Sequence, residues 1–228
     1  MNDAERAERQ RMLREAALVA DACRKCPIGY DRRNNVYGEG DPGARLMVVG
    51  EGPGETEDEL GRPFVGRAGQ LLDRMLAAIG LPREHVYICN TVKCRPTVHG
   101  AYGLRNRAPD AQEMENCRPF LEEQIAIVAP EVILALGSPA AKWFLGQDFQ
   151  ITRMRGRWYL GPRDTPLMVT FHPAYILRQT GGQIDGVKRM VWDDLKAVRA
   201  KLDEPARPVA ESKEPGEAVE IHQVSLFE

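Results

Sequence analysis

The chain has 228 residues, of which 43% are hydrophobic and 28% are charged, and its formal net charge is −2. This length and apolar content suffice for one α/β domain with a tail, or for two small domains at most. No apolar run approaches the roughly 20 residues that a membrane span needs, and the charged segment Met1–Arg6 precedes no apolar signal region, so we expect a soluble, cytoplasmic protein.

Hydrophobic spacing predicts helices and strands that alternate along the chain. Apolar residues recur at helical spacing in residues 3–22, and four short apolar runs, bounded by polar, glycine or proline residues, are typical of buried strands. This order predicts an α/β fold with a central, mostly parallel, four-stranded sheet flanked by helices. The predicted strands are 46–49, 86–89, 132–136 and 167–171, and the further predicted helices are 71–79, 110–128, 138–145 and 187–202.

The last part of the chain differs in composition from the rest. Residues 204–228 contain six glutamates against one arginine and one lysine, which predicts a disordered acidic tail behind a domain of residues 1–203. The domain itself is then slightly positive, with basic residues grouped in 93–107 and 153–163. A nucleic-acid groove requires only local positive charge, so the net charge does not exclude one, although scattered solvated arginines are an equally good interpretation.

Unusual loops follow three of the predicted strands, at the edge where open parallel sheets bind ligands. Taken singly, a lone asparagine, histidine or phenylalanine in such a loop is more often structural than functional. Their order and their common placement are more informative than any one of them. The loops contain Gly50–Asp58 (GEGPGETED), Gly61–Asp73 (GRPFVGRAGQLLD), Asn90–Pro96 (NTVKCRP) and His172–Leu177 (HPAYIL).

Together, these four motifs resemble those of the family 4 uracil-DNA glycosylases, in one continuous order over roughly residues 20–200. The resemblance implies a monofunctional glycosylase of base excision repair, which hydrolyses the N-glycosidic bond of deoxyuridine in DNA and leaves an abasic site. Such an enzyme flips the base out of the DNA, stacks its ring, reads its edge and stabilises the departing uracil anion. The implied partner is uracil-containing DNA, single- or double-stranded, and we expect a monomer.

The resemblance implies roles for particular residues. Phe64 matches the stacking aromatic, and Asn90 matches the residue that reads the uracil edge, because an amide complements O4 and N3–H but not the amino group of cytosine. His172 matches the histidine that donates to uracil O2 as negative charge develops there, which a neutral imidazole can do. Gly52 and Gly54 belong to the turn against which the flipped phosphodiester would lie, since glycine allows close backbone approach.

Two parts of this site remain open at the level of the sequence. The best-known sibling family has an aspartate two residues after the first glycine of the motif to position water, but this chain has Gly52 there. Glu51 and Glu57 are the candidates for that role. Residues 172–178 are expected to form a loop that enters the duplex, and any residue of Tyr175–Arg178 could fill the vacated space.

The cysteines indicate a metal site, because stable disulfides are rare in a reducing compartment. Cys23 and Cys26 form a C-x-x-C pair, and Cys94 and Cys117 follow far along the chain. Four thiolates fit either a [4Fe–4S] cluster or a structural zinc ion, and the resemblance to family 4 favours the [4Fe–4S] cluster. Cys89 lies in an apolar strand and is expected to be a small buried hydrophobe.

One segment departs from the pattern of the family, because Cys94 and Cys117 are further apart than usual and extra residues lie near Val98–Leu104. A related branch has an insertion here whose histidine captures the sugar covalently. An alternative function is therefore a protein that binds uracil-DNA and traps the sugar covalently, with His99 as the candidate nucleophile. The basic string of that branch is absent, and a surface loop is the simpler interpretation. A non-catalytic iron–sulfur module that binds nucleotides is the third alternative.

The acidic tail ends in an apolar pair for which a disordered segment has no folding reason. Residues 223–228 read QVSLFE and resemble the Gln-x-x-Leu-Phe peptides that bind the bacterial sliding clamp. Leu226 and Phe227 would fill an apolar pocket, and Gln223 would form a hydrogen bond at its rim. The alternative is that the apolar pair docks onto the domain.

Overall fold

The computed structural model describes residues 1–205 with the exception of Tyr102. The clamp-binding residues expected from the sequence, Gln223, Leu226 and Phe227, lie outside the described residues, as does nearly all of the acidic tail. Among the described helices, none combines the length and the apolar content that crossing a bilayer demands.

The strands are β1 (Glu39–Gly40), β2 (Leu46–Gly50), β3 (Val86–Asn90), β4 (Thr97–Gly100), β5 (Gly103–Asn106), β6 (Val132–Leu136), β7 (Trp158–Leu160) and β8 (Pro166–Thr170). The helices are α1 (Asp3–Ala22), α2 (Ile28–Asp31), α3 (Glu55–Leu60), α4 (Arg67–Ala78), α5 (Ala111–Val128), α6 (Gly137–Leu145), α7 (Ile151–Met154), α8 (Pro173–Arg178) and α9 (Gln183–Asp203).

The main sheet has six strands in the order β1-β3-β2-β6-β8-β7, so the prediction of four strands was wrong in number. The four predicted strands form its parallel centre, while β1 and β7 pair antiparallel at the two edges. The edge strands are only two and three residues long, which is too short to produce an apolar pattern. Gly40 permits one of these pairings, because any side chain there would collide with the carbonyl of Val86.

Alternate residues of the central strands form two apolar layers on opposite faces of the sheet. On one face, Met47 and Val49 of β2 pack with apolar residues of α1, α5 and α6. On the other face, Leu46 and Val48 pack with apolar residues of α4 and α9. Strands β2, β3 and β6 are consequently buried along their whole length, and the predicted parallel sheet flanked by helices is confirmed.

The parallel strands end at one edge of the sheet, and this edge brings the loop motifs together. Gly50 at the end of β2 pairs in register with Asn90 at the end of β3. Beyond the strands, Thr91 N donates to the Gly50 carbonyl at 2.9 Å and Val92 N donates to the Glu51 carbonyl at 3.3 Å. The first and second motifs therefore lie side by side.

Two segments expected to be loops have regular structure. The residues after His172 form α8, and the His172 side chain caps the first turn of this helix. Pro173 is compatible with the first turn because the backbone nitrogens there have no carbonyl partner within the helix, so the missing N–H costs nothing. The extra residues before Cys117 form an antiparallel hairpin of β4 and β5. The Arg107 side chain anchors its base by donating to both carboxylate oxygens of Glu113 at 2.6 and 2.7 Å.

Candidate active site

A cleft of about 760 Å³ opens at the edge where the parallel strands end. Its walls come from the loop after β2, the segment before α4, the end of β3 and the start of α8. The base of the β4–β5 hairpin, including Asn106, forms part of the rim. The predicted catalytic and substrate-binding residues all line this cleft: Glu51, Gly52, Gly54, Glu57, Phe64, Asn90 and His172.

Phe64 and Asn90 converge above Gly50. A side chain at Gly50 would collide with the Phe64 ring and would lie 2.5 Å from Asn90 Oδ1. Phe64 has a left-handed backbone with φ of 51°, a conformation that costs a residue with a side chain roughly 1–2 kcal/mol. Gly69 makes this turn possible, because a Cβ at Gly69 would collide with the Phe64 carbonyl. Asn90 is 2% exposed, so its amide is held at the floor of the cleft.

His172 stacks against Phe64, with ring centroids 5.5 Å apart and an angle of 29° between the ring planes. Its Nδ1 accepts a hydrogen bond of 3.1 Å from Ala174 N. Burial, helped by the positive charge of Arg178, lowers the pKa of His172 to about 4. The imidazole is therefore neutral at pH 7 and carries its proton on Nε2, which can only donate.

The two glutamates of the first motif have different surroundings. Glu57 has its carboxylate committed to the backbone: Oε1 accepts from Val65 N and Gly66 N at 2.9 and 2.8 Å, and Oε2 accepts from Gly54 N at 3.1 Å. Glu57 thus ties the glycine turn to the segment that carries Phe64. Burial raises the pKa of Glu51, and the nearby positive charge of Arg178 opposes that rise.

The glycines of the turn after β2 are required by close packing. A Cβ at Gly52 would lie 2.8 Å from Val92 Cγ2, and a Cβ at Gly54 would lie 2.7 Å from Glu57 Oε2. Glycine at both positions therefore lets the turn lie against the loop after β3 and lets Glu57 reach its backbone partners. The turn lines the cleft along one wall.

The four cysteines predicted to bind metal lie in one region, between the end of α1, the loop after β3 and α5. Burial raises the pKa of Cys26 and Cys94 and raises that of Cys117 to about 11, and charge on the neighbouring cysteines adds to each of these shifts. Cys23 is one of those neighbours for both Cys26 and Cys94. Cys89 is fully buried in β3 among the apolar side chains of the core, as its sequence position suggested.

Two side chains donate hydrogen bonds to these sulfurs. Arg32 Nη1 donates to Cys94 Sγ at 3.1 Å, and Asn116 Nδ2 donates to Cys26 Sγ at 3.2 Å. The Arg32 side chain is only 4% exposed. Hydrogen bonds of this kind stabilise a thiolate more than a thiol.

By sequence, Lys93 belongs to the basic group of residues 93–107, which would be solvated or face DNA, but the structure buries it. It is 1% exposed, and burial lowers its pKa. Its Nζ donates to the Asn90 carbonyl at 2.7 Å and to Gln124 Oε1 at 2.5 Å. The signal was present in its position, directly after an apolar strand and between Val92 and Cys94.

His99 is exposed on β4, and it is not one of the residues that line the cleft. The hairpin contributes Asn106 to the rim instead. The position of His99 therefore gives no support to the covalent trap considered from the sequence.

Comparison with known families agrees with this geometry. The sequence profile of the uracil DNA glycosylase superfamily matches residues 37–196, which contain all four loop motifs. The chain belongs to the uracil-DNA glycosylase superfamily. This membership agrees with the resemblance that the motifs indicated. In this chain, the superfamily fold has a six-stranded sheet with a cleft at the edge where the parallel strands end.

Curated members of the superfamily include close relatives of this chain. It is 41% identical to a type-4 uracil-DNA glycosylase of Thermotoga maritima, over 84% of this chain and 95% of the relative. It is 39% identical to a type-4 uracil-DNA glycosylase of Sulfurisphaera tokodaii, over 82% and 83% of the two chains. A type-4 uracil-DNA glycosylase of Pyrobaculum aerophilum is 42% identical over 69% of this chain and 80% of the relative.

Proposed function

We propose that this protein is a monofunctional uracil-DNA glycosylase, which hydrolyses the bond between uracil and deoxyribose in DNA and leaves an abasic site for base excision repair. The type-4 enzymes that it resembles carry this activity in their names. The observation that carries the proposal is the convergence of Phe64, Asn90 and a neutral His172 in one cleft. These groups provide a stacking ring, an edge-reading amide and a hydrogen-bond donor.

Recognition of uracil rests on Phe64 and Asn90. The flipped base stacks on the Phe64 ring, and the buried amide of Asn90 pairs with O4 and N3–H of the uracil edge. Cytosine offers an amino group at position 4 and lacks N3–H, so it would leave the buried amide poorly paired. An unpaired buried polar group costs about 1–3 kcal/mol, which is enough to favour uracil.

Bond cleavage requires stabilisation of the charge that leaves with the base. As the bond between N1 of uracil and C1′ of the sugar breaks, the bonding electrons depart with uracil. The Nε2–H of His172 donates to uracil O2, where the negative charge collects. A preorganised donor in a buried site is worth about 10²–10³ in rate, and Ala174 N holds the imidazole in the required tautomer.

Glu51 is the residue that positions the attacking water. The oxygens of Glu57 already accept from three backbone N–H groups, whereas Glu51 lines the cleft and has a raised pKa typical of a buried base. The water oxygen bonds to C1′ while the Glu51 carboxylate accepts the proton that the water loses. The positive charge of Arg178 favours the ionised carboxylate and so opposes the effect of burial on the pKa of Glu51.

The DNA backbone and the opposite strand are met by two other elements. The phosphodiester of the flipped nucleotide lies against the Gly52–Gly54 turn, where glycine allows close approach. On α8, Leu177 is the apolar residue that fills the space left by the base, because it is 41% exposed while Ile176 is buried in the core. Tyr175 instead stacks on Phe171, at 4.8 Å between ring centroids.

The cysteines Cys23, Cys26, Cys94 and Cys117 are proposed to hold a [4Fe–4S] cluster. Within residues 1–205, Tyr102 excepted, no three ligand-type side chains converge closely enough to hold a single metal ion. Four thiolates from three segments fit a [4Fe–4S] cluster, in which each thiolate binds a different iron, and the resemblance to the type-4 enzymes favours iron over zinc. When bound, the cluster supplies a structural link between the end of α1, the loop after Asn90 and α5.

The decisive experiment is a turnover assay with excess single- or double-stranded oligonucleotide that contains one uracil. Free uracil and alkali-labile sites should accumulate beyond one per enzyme. A protein–DNA band that resists heat on a denaturing gel, without turnover, would instead indicate the covalent trap. Binding without any product would indicate the non-catalytic module.

A further inference from the structure

Lys93 is a large buried side chain that the proposed chemistry does not use. Its ammonium donates to the Asn90 carbonyl at 2.7 Å and to Gln124 Oε1 at 2.5 Å. The third side of the ammonium faces the ring of Tyr37, 5.5 Å from the centroid. Gln124 is held in turn by hydrogen bonds from its Nε2 to the Tyr37 carbonyl and the Tyr87 hydroxyl, at 2.8 and 3.0 Å. The ammonium is therefore fixed in position on every side.

The same residue adjoins the cysteine site. Cys94 is the next residue along the chain, and Gln124, which accepts from the Lys93 ammonium, lies about two helical turns after Cys117 on α5. Both hydrogen-bond partners of the ammonium are neutral oxygens, and no carboxylate is among them. A buried ammonium with neutral partners alone is costly, so this position calls for negative charge on the cysteine side.

We propose that Lys93 is a positioning residue that joins the cysteine site to Asn90: it holds the Asn90 carbonyl while its ammonium balances the negative charge of the bound cluster. Four thiolates and a [4Fe–4S] core together carry net negative charge, and Lys93 and Arg32 are the two buried cations against them. This role rests on the proposed function, both for the cluster and for the pairing of Asn90 with uracil.

Arg32 provides a matched comparison with Lys93. It donates to Cys94 Sγ at 3.1 Å and to the Cys23 carbonyl at 3.1 Å, and it belongs to the segment after α2 rather than to the loop of Asn90. Both cations should make the cluster easier to reduce, because a nearby positive charge favours the added electron. Only Lys93 should also affect how uracil is read.

The experiment compares the holoenzyme with Lys93→Met and Arg32→Met, after iron content and visible absorption have been used to select cluster-loaded protein. Film voltammetry gives the midpoint potential of the cluster, and steady-state excision from a single-stranded uracil oligonucleotide gives kcat and KM. We expect both variants to shift the potential to more negative values. Lys93→Met should lower kcat/KM by about tenfold, the scale for one buried hydrogen bond, whereas Lys196→Met, at an exposed lysine of α9, should leave kcat/KM unchanged.

Gln124→Met serves as a second variant in case Lys93→Met does not assemble its cluster. It removes one support of the ammonium without touching a cysteine or Asn90, and it should lower kcat/KM in the same direction. Wild-type excision in Lys93→Met or Gln124→Met, or an unchanged potential in Lys93→Met, overturns the role of Lys93. A wild-type enzyme that releases no uracil contradicts the proposed function instead, and the potentials then still decide whether Lys93 balances the cluster.

Discussion

The residues around His172 determine the protonation state and the tautomer of its imidazole. The N–H of Ala174 occupies Nδ1, and burial with the charge of Arg178 lowers the pKa of the imidazole to about 4. At neutral pH the ring can therefore only donate from Nε2 into the cleft. The same dependence on surroundings separates Glu51 from Glu57, since three backbone donors occupy the Glu57 carboxylate.

The first prediction concerns the pocket residues. We expect His172→Ala and Asn90→Ala each to lower the single-turnover rate of uracil release by about 10²-fold or more, because each removes a preorganised group. Iron content and circular dichroism should stay as in the wild type. His85→Ala, an exposed histidine outside the cleft lining, is the matched control. Near-normal rates in both pocket variants would show that the pocket is wrongly assigned.

The second prediction concerns pH. Glu51 must be ionised to accept a proton, and burial raises its pKa, so the excision rate should fall as the pH is lowered through a value above that of an ordinary glutamate. Removing the positive charge in Arg178→Ala should move this acid limb to higher pH, because that charge favours the carboxylate. Single-turnover rates on single-stranded DNA over a pH series measure both. An acid limb that does not move in Arg178→Ala contradicts the assignment of Glu51.

At the scale of the element, α8 determines which side chain of residues 175–178 is apolar and exposed, and so which one we propose to meet the DNA. The sequence suggested a loop with four candidate residues, but a helix that starts at a proline and is capped by His172 separates them by direction. Ile176 points into the core, Tyr175 stacks on Phe171, and Arg178 lines the cleft. Leu177 is left as the exposed apolar residue.

The third prediction follows from that arrangement. Leu177→Ala should lower uracil excision from double-stranded DNA by about tenfold, because the cost of unstacking and unpairing a base is a few kcal/mol and the vacated space would no longer be filled. Excision from single-stranded DNA should hardly change. Leu160→Ala, at a leucine that is 70% exposed on β7, is the control. Equal losses on both substrates would mean that Leu177 does not act in the duplex.

The fourth prediction concerns the segments that the cysteines connect. Purified protein should be brown and contain about four iron atoms per chain, as the cluster formula requires. Cys94→Ser and Cys117→Ser should lose most of the iron and the visible absorption, and should melt at a lower temperature. Cys89→Ala, at a fully buried cysteine in β3, should keep the iron. Stoichiometric zinc without iron would refute the cluster.

At the scale of the whole molecule, the cleft and the cysteine site share one loop. Asn90 lies at the end of β3 and lines the cleft, and four residues later Cys94 packs with Cys26 and Ile28, in the segment that follows α1. Lys93 lies between them and bonds to α5 through Gln124. The N-terminal helix is thereby connected to the catalytic edge of the sheet, although it contributes nothing to the lining of the cleft.

The fifth prediction concerns residues outside the described part of the chain. We propose that Gln223, Leu226 and Phe227 bind a bacterial sliding clamp, and a peptide of residues 219–228 should bind it with a Kd in the micromolar range, on the order expected for a short peptide that orders on binding. Leu226→Ala with Phe227→Ala should abolish binding and leave excision from short oligonucleotides unchanged. If deletion of 219–228 lowers the melting temperature by several degrees and no clamp binding is found, the peptide has a structural role instead.

Local patterning was enough to predict the centre of the fold. A parallel strand covered on both faces must be apolar along its length whatever packs against it, so β2, β3, β6 and β8 could be located from composition alone. The loop motifs could be assigned to one cleft for a similar reason, because parallel strands end at a common edge. The helices α1, α5 and α6 were also found within one or two residues of their bounds.

Other features depended on contacts between segments far apart in the chain. The edge strands β1 and β7 form because a neighbouring strand offers hydrogen-bond partners. Their own residues therefore show no apolar pattern from which a strand could be predicted. Glu51 and Glu57 have the same side chain, but backbone N–H groups of distant segments donate only to the Glu57 carboxylate, which the sequence does not reveal. Lys93 has the residue type of a surface cation, and only the fold shows that it is buried. The sequence gives the type of each side chain and the local pattern of apolar residues. The burial of a residue, its hydrogen-bond partners and its charge state depend on segments that only the fold brings next to it.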